Sequence, residues 1–312
     1  MNYRFEKLTI DTVKDLLPLY ADAFGKPITE KELVAKFDTS FTGHAFVGFT
    51  AYYKETNDAA AFYGVFPCFC VFQNETFLVA QSGNTMTHSN HRGQGLFTQL
   101  ALETYQYCRE IGIHLVFGFP NNNSYPGFVK KLSWIHFDNI EAYTLRVKTI
   151  SYYRMNKWFK ISVKTFYKRG HTILSKCKKG MPFQSSCLVK NTPVVDRSKE
   201  YIDYKTYEKN YLIELANVAL WVKFNTNFLV IGDIALKSEE EWKKVIDELK
   251  KIAAKMFIPH LRFQGSIDTP LAHFFEKNGQ KLEVTHAIGG INFTNKIPME
   301  KMKFTAADND TF

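Results

Sequence analysis

The sequence has no C-x-x-C pair, no apolar run long enough to cross a bilayer and no low-complexity tract. Its five cysteines, Cys68, Cys70, Cys108, Cys177 and Cys187, are odd in number, which speaks against a disulfide framework and for reduced thiols in a cytoplasmic protein. Cys68 and Cys70 lie two apart, on one face of a strand, and read as small core residues; no metal site is expected. The longest charge-free apolar run, 59–72, contains Gly64 and Pro67. A membrane helix needs roughly 20 residues, so this shorter run reads as a buried strand. The opening residues, Met1 to Glu6, lack the apolar core of a secretion signal.

Acid is missing from one place. From Lys148 to Lys190 there are eleven Lys or Arg and no Asp or Glu. The other 29 basic and 31 acidic residues nearly cancel, so the net charge of +9 belongs to this segment. A partner that carries phosphates would feel it: a coenzyme, a nucleotide sugar, an anionic lipid head group or a nucleic acid. What is plentiful is core material: 45% of the 312 residues are apolar and 15% aromatic, enough for one large domain or two ordinary ones.

Periodicity supplies an order of elements. A strand at 3–9 is followed by a helix at 11–24, stopped by Gly25-Lys26-Pro27, and by a second helix to about Phe37 that opens on the capping box Thr29-x-x-Glu32. Three strand-like runs follow, 44–53, 60–72 and 77–88, the last two a hairpin about Gln73-Asn74-Glu75-Thr76. Then come a glycine loop, a helix at 96–110 ended by Gly112, a strand at 113–119, a short helix at 126–132 and a strand at 137–147. After the basic segment we expect a helix at 208–220, strands at 221–224 and 228–236, a helix at 239–254, a strand at 260–264, a helix at 271–277, strands at 281–286 and 288–293, and a loose polar tail. The halves read as a repeat. Phe77-Leu78-Val79 matches Phe228-Leu229-Val230, and His114-Leu115-Val116-Phe117-Gly118 matches His260-Leu261-Arg262-Phe263-Gln264. The second copy is about five residues shorter, at the place of the glycine loop.

That loop, Arg92-Gly93-Gln94-Gly95, sits between a strand end and a helix start. The unbonded N–H groups of a first helical turn and the positive end of its dipole attract an anion, and glycines let it come close. Arg92 adds a charge-assisted contact. The loop is not a P-loop, because no Lys-Ser/Thr follows; nor is it a dinucleotide fingerprint, because Thr98 stands where the third glycine belongs.

The order of elements, with Arg92-Gly93-Gln94-Gly95-Leu96-Phe97 in its middle, resembles the GNAT superfamily of N-acyltransferases, over about residues 1–147. The resemblance implies an α/β (α+β) fold, a mixed, mostly antiparallel central sheet flanked by helices, here duplicated. It implies acetyl-CoA as acyl donor, with the pyrophosphate on Arg92, Gly93, Gln94, Gly95, Leu96 and Phe97. The pantetheine arm would lie along Met86 and Thr87, with Asn123 in the family's downstream asparagine position. Phe97 replaces the usual small residue. Phe128-Val129-Lys130-Lys131-Leu132-Ser133-Trp134 resembles the family's Tyr-x-x-x-Gly-Phe helix end, but Val129 and Ser133 replace its Tyr and Gly, so the family's acid is not carried over. His88 is a candidate base, since imidazole exchanges protons near neutral pH. Tyr125, beside the helix that usually bears the acid, is the other catalytic candidate.

The expected organisation is therefore a GNAT domain at 1–147, a basic connector at 148–193, a degenerate GNAT-like domain at 194–303 and a tail at 304–312. In the second domain the matching helix opens on Ser238-Glu239-Glu240-Glu241, a self-satisfied and acidic N-terminus, so a coenzyme is expected in the first domain alone. The leading expectation is transfer of an acetyl or short acyl group to the primary amine of a small molecule such as an amino sugar. Its rivals are an aminoacyl-tRNA-dependent transferase of related fold and a non-catalytic acyl-CoA-binding module. No nucleic-acid partner is expected. The aromatic and lysine-rich segment within 148–190 allows a peripheral contact with anionic membrane, or a solvated connector whose aromatics are packed away.

Overall fold

The computed structural model describes residues 2–312, the side chains of 283–285 excepted. Backbone proximity divides the chain into two compact units, 1–137 with 287–301, and 138–286 with 302–312.

In the first unit the strands are β1 Tyr3–Lys7, β2 Gly48–Tyr53, β3 Ala59–Phe72, β4 Glu75–Thr87 and β5 Leu115–Gly118. The helices are α1 Leu16–Phe24, α2 Glu30–Phe37, α3 Leu96–Glu110 and α4 Tyr125–Leu132. β1 to β4 pair antiparallel in chain order. β5 joins β4 in parallel, and residues 289–292 close the sheet against β5. The hairpin between β3 and β4 turns on Gln73 and Asn74, both at positive φ, the twist that a two-residue hairpin needs. The long β3 is apolar on both faces because both are covered. Phe62 and Phe66 pack with Leu16 and Leu19 of α1 and Leu33 and Phe37 of α2. Tyr63 and Val65 pack with Leu100, Ala101 and Tyr105 of α3 and Phe128 of α4.

The second unit starts within β6 Ile135–Arg146 and continues through α5 Tyr152–Phe159, α6 Val163–Ser175, β7 Val194–Val195, α7 Lys199–Tyr204, β8 Tyr211–Leu215, β9 Val218–Phe224, β10 Phe228–Ile234, α8 Glu239–Lys255, β11 His260–Ser266 and α9 Pro270–Asn278. β12 Gln280–Asn292 runs out of it. Its sheet is ordered β6, β11, β10, β9, β8, antiparallel except for β10 beside β11. Phe166 and Leu174 of α6, Trp242, Val245 and Leu249 of α8 and Phe274 of α9 share its core.

Three sequence expectations need correction. The helix expected at 208–220 is the hairpin of β8 and β9, because Ala216 and Asn217 both take positive φ and so form a two-residue hairpin turn. The connector expected at 148–193 contributes α5 and α6, with Tyr152, Phe166 and Leu174 in the second unit's core. The tail expected to be loose is packed. Phe304 and Phe312 are buried, Ser266 N donates to Phe304 O at 2.8 Å, and Asp308 pairs with buried Arg197 at 2.8 Å. Two aromatic anchors and one matched carboxylate outweigh the polar composition of the tail.

Candidate active site

The site begins where two parallel strands part. Among the described residues, β4 and β5 pair in parallel through Ala80 with Val116 and Gln81 with Phe117, and His114 N donates to Leu78 O at 2.9 Å just before them. Beyond Gln81, β4 continues to Thr87 bonded to β3 alone among the described pairings, so the peptide groups of Ser82 to Thr87 form an open edge on the other side. At the point of parting, a Cβ on Gly118 would meet the Trp134 ring at 3.0 Å and Ser82 O at 3.3 Å. The fork is held by buried hydroxyls. Ser82 Oγ donates to Tyr63 OH at 2.9 Å, Tyr63 and Tyr105 share a bond of 2.8 Å, and Trp134 Nε1 donates to Tyr105 OH at 2.8 Å. Burial pushes both phenols well above their ordinary pKa, so they remain neutral hydrogen-bonding groups.

Along the open edge, Met86 turns its side chain into the core while Thr87 stays half-buried. Asn84 takes φ +51°, and its Oδ1 accepts from Lys36 Nζ at 3.0 Å. Asn84 Nδ2 is buried and has no hydrogen-bond partner among the described residues. Neither Ser82, Tyr105 nor the Lys36–Asn84 pair was singled out from sequence. Asn84 carried the one available signal, a strand-disfavoured residue inside an apolar alternation.

The edge runs directly into the glycine loop. Residues 89–91 form a single 3-10 turn, and Arg92 through Gly95 are exposed. Gly93 and Gly95 take φ +78° and +75°, where a side chain is strained. α3 begins at Leu96 with no side-chain cap. Thr98 N and Gln99 N turn back to Gly95 O, at 3.1 and 3.2 Å. The N–H groups of Gly93, Gln94, Gly95, Leu96 and Phe97 find no acceptor among the described residues. A Cβ on Gly93 would meet nothing within 4 Å. The result is an open cradle of amide donors at the positive end of a 15-residue helix. Leu96 is buried beneath it as an anchor.

Phe97 fits through compensation at α4. Its ring lies 5.2 Å from that of Phe128 and only 3.2 Å from where a Cβ on Gly127 would stand. This contact packs the first turn of α4 against the first turn of α3. Tyr125 OH bonds His136 Nδ1 at 3.1 Å. The turn before it is tied by Asn121 Oδ1, which accepts from Asn123 N and Ser124 N, each at 3.0 Å; Asn123 itself is exposed. Ser133, in the family's glycine position, takes φ +55° as the left-handed cap of α4.

His88 has a local role. Its Nδ1 accepts from Asn90 N at 3.2 Å, and its Nε2 faces Asp22 at 3.8 Å. Both ring nitrogens are thus turned to local partners. Asp22 in turn accepts from Ser89 N and Ser89 Oγ, both at 2.8 Å. The Ser89 backbone N–H and then its hydroxyl hold the Asp22 carboxyl below the usual carboxylate range. His88, Asp22 and Ser89 thus pin the loop to α1.

Residues 4–137 match the family model described as an acetyltransferase (GNAT) domain. No curated protein matches the chain. Solved structures of similar fold include a GCN5-related N-acetyltransferase from Kribbella flavida, 11% identical with TM-score 0.62, over 94% of this chain and 71% of that one. A conserved protein of unknown function from Enterococcus faecalis V583 is 10% identical with TM-score 0.63, over 96% and 75%. A GCN5-related N-acetyltransferase from Anabaena variabilis is 10% identical with TM-score 0.58, over 92% and 72%. At these identities the likeness is one of fold. Among the described residues no helix is long and apolar enough to cross a membrane.

Proposed function

We propose that this chain is an N-acyltransferase that takes an acetyl or short acyl group from coenzyme A and gives it to the primary amine of a small molecule, with amino sugars as the acceptor class. One observation carries the reading. The open edge of β4 leads, through the 3-10 turn at 89–91, to five N–H groups that are unbonded among the described residues at the start of α3. The cradle suits a pyrophosphate, which would be held by the amides of 93–97 with Arg92 beside it. The free peptide groups of Ser82 to Thr87 suit the amide-bearing pantetheine arm and would align the thioester.

Bound coenzyme supplies the activated acyl group. The chain supplies position, and main-chain N–H groups that polarise a carbonyl. Tyr125, with His136 on its hydroxyl, is the proton donor we assign to the departing thiolate. Since His88 is engaged in the turn, we assign deprotonation of the amine to water. The second unit we read as a degenerate copy. Its β8–β9–β10 meander, parallel step across α8, and α9 repeat the order of β2, β3, β4, α3, β5 and α4. Ser238 and Glu241 form a capping box on α8, so its N-terminus is already satisfied.

The test pairs calorimetry with thiol release. Arg92→Glu with Gly95→Trp, and Arg92→Glu alone as the milder variant, should lose acetyl-CoA binding while keeping the native circular dichroism. Unchanged affinity in a folded double variant would overturn the site. Binding without thiol release across an amine panel would leave an acyl-CoA-binding module in place of an enzyme.

A further inference from the structure

The basic segment holds a second surface. We propose that the turn joining α5 to α6 is an interfacial anchor that seats this protein on an anionic lipid bilayer.

The turn is built, and it points apolar groups outward. Tyr152, at the start of α5, is buried. Its N–H donates to Phe257 O at 2.9 Å, its hydroxyl donates to Ile161 O at 3.0 Å, and its ring lies 4.7 Å from that of Phe166. Lys160 ends α5 in the left-handed conformation, and Ser162 Oγ caps α6 by accepting from Thr165 N. So fixed, the turn exposes Trp158 by 60%, Phe159 by 67% and Val163 by 52%. The expectation that these aromatics are packed away holds for Tyr152 and Phe166 and fails for Trp158 and Phe159.

Charge selects the partner. Arg154, Lys157, Lys160 and Lys164 are all exposed around this tip. Among the described residues none of the four has a carboxylate within ion-pair distance. The stretch from Lys148 to Lys190 contains no acid at all. A second copy of this chain would set positive charge against positive charge. A nucleic acid would satisfy the lysines, but not an aliphatic Val163 beside two aromatics that protrude from one turn. A bilayer surface satisfies both: Trp158, Phe159 and Val163 enter the boundary between head groups and acyl chains, while the lysines reach back to lipid phosphates. The contact is peripheral.

The four tryptophans supply the readout. Trp134, Trp221 and Trp242 are buried to within 3%, so a change in emission on binding reports Trp158. With vesicles of about 30 mol% phosphatidylglycerol in about 50 mM salt, the protein should cosediment and its emission should shift blue, with weaker binding in high salt. Trp158→Ser with Phe159→Ser leaves the charge unchanged and touches only exposed side chains. It should lower the bound fraction at fixed lipid by about tenfold or more. Lys157→Gln with Lys160→Gln and Lys164→Gln should abolish the preference for anionic over neutral vesicles. Failure of the wild type to cosediment overturns the proposal. So does serine-variant binding equal to wild type, which would mean adsorption by charge alone. RNA that displaces vesicles without a blue shift, or a lipid-free dimer with emission already blue-shifted, overturns it in favour of those partners.

Discussion

At Gly93 the structure permits a controlled insertion of charge into the amide cradle. Its φ is +78° and a Cβ there meets nothing within 4 Å. Gly93→Asn and Gly93→Asp therefore share one penalty, a left-handed backbone on a residue with a side chain, of about 1 kcal/mol and smallest for these two residue types. They differ by one negative charge. At about 6 Å from a bound phosphate and an effective dielectric constant of roughly 20–40, a unit pair repels by about 1.5–3 kcal/mol. With both phosphates of a pyrophosphate and partial screening at about 0.1 M salt, the difference comes to about 2–3 kcal/mol, or roughly 30- to 150-fold in affinity. Calorimetric titration with coenzyme A should give Gly93→Asn within about fivefold of wild type, the shared strain being worth about 1 kcal/mol. Gly93→Asp should be weaker than Gly93→Asn by the computed factor in low salt, and by much less at about 0.5 M, where the Debye length is a few ångströms. Melting temperatures of the two variants should agree. Equal affinities for the Asp and Asn variants in low salt, both folded, would show that the anion does not lie on this loop.

Three further outcomes follow from the same geometry. Tyr105→Phe leaves the buried Trp134 Nε1 without its acceptor and takes from the Tyr63 hydroxyl one of its two bonds, the one to Ser82 remaining; it should lower stability by about 1–3 kcal/mol, and an unchanged denaturant midpoint would contradict the buried network. Ser133→Gly relieves a left-handed cap at φ +55° and should stabilise by about 1 kcal/mol, read as a raised melting temperature; no gain would mean that the serine makes an offsetting contact. Burial, then Lys296 for His114 and Lys209 for His171, holds both imidazoles below the ordinary value of 6.5. The unfolded chain then takes up protons first. Their contribution is therefore intact above about pH 6.5 and lost as pH falls through that value, and melting should be lower at pH 5.5 than at pH 7.5. His114→Gln with His171→Gln should flatten that slope; a slope left unchanged would assign the acid sensitivity elsewhere.

Much of the first unit was legible because its signals are local. The capping box at Thr29 and Glu32, and the boundaries of α3 at Leu96 and Glu110, stand where caps and periodicity put them. The hairpin turn falls within the expected 73–76 but is two residues long, Gln73 and Asn74, with Glu75 already in β4. Errors fall where a weak local signal meets tertiary packing. Tyr211 to Phe224 carries apolar residues at spacings that suit a helix as well as a strand, and two successive left-handed residues, one of them an alanine, decide the matter. Arg197, which ties down Asp308, lies more than a hundred positions away, beyond any sequence window. In the site, the glycine loop declared itself by context. The fork of β4 from β5, the Tyr63–Tyr105–Trp134 chain and the pairing of Tyr125 with His136 are products of three-dimensional register. The room that Gly127 makes for Phe97 explains why the departure from a small residue is tolerated.

The two parallel crossovers of this chain offer an internal comparison of what the proposed site requires. In each, a strand leads through a helix to a parallel neighbour: β4 by α3 to β5, and β10 by α8 to β11. In the second unit the parallel partners stay together over four positions, Phe228 to Ile231, and α8 closes its own N-terminus with Ser238 and Glu241, with Glu239 and Glu240 beside them. Such a cap is worth about 0.5–2 kcal/mol, so folding alone favours it. In the first unit the partners part after two positions, and α3 forgoes the cap, leaving its donors to solvent. An open strand edge and an unsatisfied helix start both run against stability. Their coincidence in one unit, contiguous along the chain and absent from its counterpart, is what a ligand with amide groups in one part and phosphates in another would account for.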